Sequence, residues 1–184
     1  AIDTIYGGSG ADTIAGAGGA DNIFAGASDS AVDYIVYSAT THGASAGANT
    51  GYDTISEFEV GTDKIAFTST INTNFDDITN NDTFAWVTNA AANFTTTHEA
   101  MLITGLTNAN LTEASFTTIL TALNGYGITA ASTNDAIIAV QGTSQTAFFL
   151  FTENGTLANN IVTAELTLLG ITNGQLTTSD FIFA

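Results

Sequence analysis

Residues 7–15 read Gly7-Gly8-Ser9-Gly10-Ala11-Asp12-Thr13-Ile14-Ala15, and residues 16–24 read Gly16-Ala17-Gly18-Gly19-Ala20-Asp21-Asn22-Ile23-Phe24. Asp3, Asp12 and Asp21 recur at nine residues, and Ile5, Ile14 and Ile23 follow each of them two residues later. A fixed nine-residue period of this form is the sequence signature of a parallel β-helix. Glycines permit a tight turn with positive φ and let carbonyls approach at low steric cost. The Asp ends the turn with a carboxylate, and the short strand after it turns its Ile inward, where stacked coils bury it. Two nine-residue units make one coil, so turns eighteen residues apart stack on the same side. The turn ending at Asp3 is therefore expected beside the turn ending at Asp21. Carbonyl and carboxylate oxygens from two stacked turns supply roughly six hard ligands, which suits Ca²⁺. Without the ion the Asp rows repel, so folding is expected to be coupled to metal. A dinucleotide-binding loop fails here, because no long strand precedes the glycines and no helix follows them.

At these residues the chain resembles the RTX (repeats-in-toxin) family of proteins secreted by the type I route. Residues 7–15 match that family's Gly-Gly-x-Gly-x-Asp-x-apolar-x nonapeptide at every defined position, and residues 16–24 depart from it at Ala17. The resemblance implies a β-roll with Ca²⁺ in the turns, held by the Asp carboxylate and the carbonyls of the second and fourth positions. Those residues are Gly8, Gly10 and Asp12, then Ala17, Gly19 and Asp21, with Asp3 from the preceding turn. The third unit is irregular. Asp29 falls early and Asp33 arrives three residues late, so an insertion in the turn is expected and either Asp is a candidate ligand.

A second stretch extends the match. Asp53-Thr54-Ile55-Ser56-Glu57-Phe58-Glu59-Val60-Gly61-Thr62-Asp63-Lys64-Ile65 resembles the segment that follows the repeats in serralysin-type proteins, with Glu57 in place of an Asp. Ile55, Phe58, Val60 and Ile65 are core candidates around a turn at Gly61, while Asp53 and Asp63 either ligate Ca²⁺ or cap turns. Residues 38–51 read as a surface loop. The last residues, Asp180-Phe181-Ile182-Phe183-Ala184, resemble the uncleaved secretion signal of type I substrates, which implies a type I secretion ABC transporter complex as partner.

Composition agrees with this division. Of the 184 residues, 18 are acidic and one, Lys64, is basic; there is no Arg, Cys or Pro. One base cannot grip a phosphate backbone or an anionic bilayer, so neither nucleic acid nor direct membrane insertion is expected. The absence of Cys excludes disulfides and thiolate metal sites. At 45% hydrophobic the chain has material for a core, and its 33 Thr favour strands. The N-terminus has neither Met nor a basic leader and reads as a segment of something longer. Nine of the acids and 11 of the 18 glycines lie within residues 1–65.

Residues 66–184 alternate apolar runs with Thr/Asn-rich turns. Strands are expected at 84–87 and 100–103, and a hairpin from 136–140 and 147–151. A helix is expected with Thr112 as cap, Glu113 in its first turn, Phe116, Ile119, Leu120 and Leu123 on one face and Gly125 as stop, and a second helical turn at 162–169. The expected fold is thus mostly β: a short N-terminal parallel β-roll over 1–65, then a β-rich domain over 66–184 with one or two short helices. Thr97-His98-Glu99 lacks the second His of a zinc-protease helix, and His42 stands alone. Asp76-Asp77 reads as a solvated turn or a weak cation site, and residues 154–165 fail the EF-hand pattern. Trp86, Phe148, Phe149 and Phe151 read as core.

These readings point to a non-enzymatic Ca²⁺-binding region of an extracellular protein on a bacterial surface, self-associating as in a surface layer or filament. The alternatives are the C-terminal domain of a secreted protease or lipase, and an adhesin tip.

Overall fold

The computed structural model describes residues 1–43, 51–68, 86–88, 100–107, 111, 116–125, 135–152 and 161–183. The first part of the chain winds through six short strands: β1 (Thr4–Tyr6), β2 (Thr13–Ile14), β3 (Asn22–Phe24), β4 (Tyr34–Tyr37), β5 (Asp53–Ser56) and β6 (Lys64–Phe67). Successive strands fall alternately in two sheets. β1, β3 and β5 pair in parallel, as do β2, β4 and β6. Register follows the isoleucines: Ile5 lies beside Ile23 and Ile23 beside Ile55, while Ile14, Ile35 and Ile65 form the facing row. All but Ile5 are buried. A one-residue slip would turn each row to solvent, so the Asp-x-Ile spacing fixes the coil.

Among the described residues the remaining strands are β7 (Trp86–Thr88), β8 (Ala100–Ile103), β9 (Ala136–Gln141), β10 (Gln145–Phe151), β11 (Leu166–Asn173) and β12 (Phe181–Phe183), and the helix α1 (Phe116–Gly125) lies between β8 and β9. The long sheet runs β1-β3-β5-β11-β10-β9-β8-β7 and the short one β12-β6-β4-β2. The hairpin of β9 and β10 forms as the apolar runs predict.

The chain's end rejoins its beginning. β11 lies parallel to β5, β12 lies parallel to β6, and residues 174–180 join them. Residues 166–183 thus form one more coil of the roll, and residues on either side of position 65 share both sheets. One hydrophobic cluster spans them, from Ile14 to Phe181. Where the roll meets the wider sheet, Phe148 packs edge-on against Tyr37, Phe67 and Phe181 at ring separations of 5.4, 6.5 and 6.1 Å.

Three expectations change or narrow. Val60, expected in the core, stands 42% exposed. The second helical turn over 162–169 is a short 3₁₀ turn, Thr163–Glu165, followed by strand β11. Helical propensity yields there to tertiary pairing: β11 sits between β5 and β10, with ladder bonds on both edges and nearly every residue buried. In α1, Ile119 and Leu123 are buried and Leu120 packs against the core. Thr112, Glu113, Asp76, Asp77, His98 and Glu99 lie outside the described residues. Among the described residues no helix is long and apolar enough to cross a membrane.

Candidate calcium-binding turns

Four turns carry the chain from the long sheet to the short one: residues 7–12, 25–33, 57–63 and 174–180. Each ends in an aspartate, at Asp12, Asp33, Asp63 and Asp180. The opposite side holds the turns that end at Asp21 and Asp53, with Asp3 entering β1.

The aspartates form two ladders. The Asp3 amide donates to Asp21 Oδ1 at 2.8 Å, and the Asp21 amide to Asp53 Oδ1 at 3.0 Å. On the other side the Asp12 amide donates to Asp33 Oδ1 at 2.8 Å, and the Asp33 amide to Asp63 Oδ1 at 3.0 Å. The Asp carbonyl completes each rung, as when Asp3 and Asp12 accept the Asn22 and Tyr34 amides. The rung from Asp3 to Asp21 spans 18 residues, as two nonapeptides require, and the rung from Asp12 to Asp33 spans 21. The three extra residues are absorbed in the second turn, where Ser28 and Ser30 both take left-handed φ of 61°.

The second oxygen of each carboxylate sorts the aspartates. Oδ2 of Asp12, Asp21 and Asp33 is buried without a hydrogen-bond partner, three of the five such side-chain atoms among the described residues. Buried polar oxygens are rarely left unmatched. Backbone oxygens crowd the same turns. A Cβ on Gly26 would meet the Gly8 carbonyl and come within 3.5 Å of Asp33 Oδ2. One on Gly7 would meet the Ala25 carbonyl and approach Asp12 Oδ2 to 3.1 Å. Glycine leaves room here for oxygens that face one another, a donor set a hard cation satisfies. The described residues contain no group of three or more His, Cys, Asp or Glu side chains placed for a metal. A cation in these turns would therefore rely on carbonyls such as those of Gly8, Gly10, Ala17 and Gly19 beside one carboxylate per turn.

Asp29, Asp53, Asp63 and Asp180 have protein donors on both oxygens. Asp53 Oδ2 accepts the Tyr37 hydroxyl at 2.9 Å. Asp63 Oδ2 accepts the Glu59 amide at 2.7 Å. Asp29 accepts Gly10 and Ala31 amides at 2.6 and 2.9 Å, bridging the first two turns. Asp180 accepts the Gly61 amide on Oδ1 and the Thr177 amide and hydroxyl on Oδ2. Phe181, Ile182 and Phe183 are the strand it introduces. His42 accepts a long bond from the Ser38 amide at 3.4 Å and lies beside the Tyr37 ring.

Electrostatics follow burial. Desolvation pushes the Asp53 carboxyl up to about 6, against the lowering effect of the Asp21 amide and the Tyr37 hydroxyl. Asp33 is raised chiefly by burial, with Asp63, Asp29 and Asp12 adding repulsion. Asp29 is lowered by the Ala31 amide and then that of Gly10. The charged forms of the Asp33 and Asp53 carboxylates are thus disfavoured by burial, a condition that a nearby cation would reverse.

Two stacked parallel sheets, glycine turns and one Asp per turn define a calcium-binding β-roll. Residues 1–30 match the family model for the RTX calcium-binding nonapeptide repeat (4 copies), so this segment carries repeats of that kind. Repeats of this kind bind Ca²⁺ and occur in secreted proteins. No curated protein and no solved structure matches the chain.

Proposed function

We propose that the chain is a non-enzymatic structural region of a bacterial surface protein, exported unfolded by the type I route and folded outside the cell by Ca²⁺. The observation that carries this reading is the set of unmatched buried oxygens, on Asp12 and Asp33 in one ladder and on Asp21 in the other. On one side the Gly8 and Gly10 carbonyls would hold an ion together with Asp12 and Asp33; on the other the Ala17 and Gly19 carbonyls would hold one together with Asp21 and Asp3. Each ion supplies the positive charge that lets neighbouring carboxylates stack. Where Ca²⁺ is scarce, repulsion and desolvation keep the repeats open; at extracellular concentrations binding is folding free energy.

The terminal residues Asp180, Phe181, Ile182 and Phe183 serve twice in this scheme. In the unfolded chain they are free to be read by the ABC transporter complex, and after export they become β12. Self-association into a surface layer or filament is the role we assign to the folded region. Its Thr-rich, nearly base-free composition supports that assignment. Excess EGTA should abolish the β signal of the repeats in circular dichroism and disperse any assembly seen by light scattering. Unchanged spectra and particle size in EGTA would sink the reading.

A further inference from the structure

Lys64 is the one basic residue of the chain, and it stands where the roll closes. Its ammonium donates to the Asp63 carbonyl at 3.2 Å and lies 4.0 Å from Asp180 Oδ1. Asp63 ends the third of the four turns that lead from the long sheet to the short one, and Asp180 ends the fourth. The ammonium therefore touches a carbonyl of one turn and a carboxylate of the next. This is the mixed donor set, backbone oxygen plus Asp, that two stacked turns offer a hard cation. The Lys64 side chain is 19% exposed, whereas that of Asp180 is fully buried. A buried carboxylate requires a compensating charge or a full set of donors.

The contrast with the first turns is local. Asp12 and Asp33 each keep a buried oxygen without a partner. Asp180 keeps none: Gly61 and Thr177 fill its two oxygens, and Lys64 supplies the charge. Asp63 is likewise filled, by the Asp33 and Glu59 amides.

We propose that Lys64 is a built-in substitute for a metal ion at the last turn pair, so that the turn of residues 174–180 closes on the turn of residues 57–63 without Ca²⁺. The roll then has two kinds of junction on one side, the first closed by a diffusible cation and the last by a covalently attached one. This inference deepens the proposed Ca²⁺-coupled folding and rests on it for the first turns only.

Amide hydrogen exchange on the full chain, read residue by residue by NMR with and without EGTA, separates the two. In EGTA the Gly61 and Thr177 amides should stay protected in the native sequence. In Lys64→Met, which keeps an apolar stem and loses the charge, they should exchange at least tenfold faster. Lys64→Arg, which keeps the charge, should restore protection. Exchange of Gly61 and Thr177 at unfolded-chain rates in the native protein in EGTA would overturn the proposal. So would full protection in Lys64→Met, or failure of Lys64→Arg to restore it. The Asp3 and Asp12 amides report separately on the Ca²⁺-coupled reading: if EGTA leaves them protected, that reading fails, and Gly61 and Thr177 still decide the role of Lys64.

Discussion

Asp33 and Asp180 occupy corresponding places in the roll, each ending a turn and opening a strand of the short sheet, yet they are satisfied by different means. Asp33 takes the Asp12 amide on one oxygen and leaves the other buried and unmatched. Asp180 takes the Gly61 amide and two groups of Thr177, with Lys64 alongside. One coil is built to need something from solution; the other is complete in the chain. The difference teaches that a repeating backbone need not have a repeating energetics, and that the metal dependence of a roll can be confined to part of it.

The comparison breaks most sharply at Asp180. Asp180→Ala leaves the part-buried Gly61 and Thr177 amides without their carboxylate acceptor and Lys64 without its counter-ion. A loss of about 2–4 kcal/mol is expected. Urea titrations should show the same loss in Ca²⁺ and in EGTA, because no ion is involved. A loss seen in Ca²⁺ alone would mean that this turn binds metal as well. Asp33→Asn sharpens the other side, since an amide oxygen still accepts the Asp12 N–H while the charge is gone. The Ca²⁺ midpoint for folding should rise about tenfold, equivalent to roughly 1.4 kcal/mol. In EGTA the same variant should be more stable than the native protein, since a buried charge and its repulsions are removed. Equal Ca²⁺ midpoints would remove Asp33 from the ligand set.

Much of this was legible in the sequence, and the limits are physical. The Asp-x-Ile spacing at residues 3–5, 12–14 and 21–23 depends on one coil alone, so it reads directly as strand, inward side and stacking partner. The same pattern at Asp180-Phe181-Ile182 reads as a tail, because no glycine nonapeptide precedes it. In the structure Phe181, not Ile182, pairs with Ile65 and turns inward, a one-residue shift that the 3₁₀ turn before it absorbs. Which aspartates carry an unmatched oxygen was not legible. The partner of Asp180 Oδ1 is Gly61, 119 residues away, and that of Asp53 Oδ2 is the Tyr37 hydroxyl across a loop. Such partners are set by which turns stack, not by the local motif. The helical reading of 162–169 failed for a related reason, since nothing local says that β11 will lie between two strands.

Acidity tests the comparison through Asp53, the closing member of its own ladder. Its folded pKa, raised by burial to about 6, exceeds the ordinary 3.8, so the folded state binds more protons between those values. That contribution to stability is fully present below the unfolded value and is lost as pH rises through about 6. Asp33 is raised as well and acts in the same direction. In EGTA the balance of the repeats should therefore shift from open toward closed as pH falls from 7 to 5, read as returning β signal and a rising melting temperature, opposite to the usual behaviour of paired carboxylates. With Ca²⁺ present the trend should reverse, since protonation then competes with the ion. A melting temperature that falls over this range in EGTA would show that these carboxylates are better solvated than their burial implies.

The smallest effect lies at Ala17, where the repeat departs from glycine. Its φ is 63°, a left-handed conformation that costs a non-glycine residue roughly 1–2 kcal/mol. Glycine relieves that strain but carries more freedom in the unfolded chain, which offsets roughly 0.5–1 kcal/mol. Ala17→Gly should then stabilise the folded protein by about 0.5–1 kcal/mol. Strain in the turn opposes closure whether or not an ion is present, so the gain should appear in Ca²⁺ as greater resistance to urea and as a lower Ca²⁺ midpoint. The last coil should not register it: in EGTA, exchange at Gly61 and Thr177 should match the native protein. If Ala17→Gly slows exchange there too, the two ends of the roll fold as one cooperative unit, and the division drawn between ion-closed and lysine-closed turns would have to be abandoned.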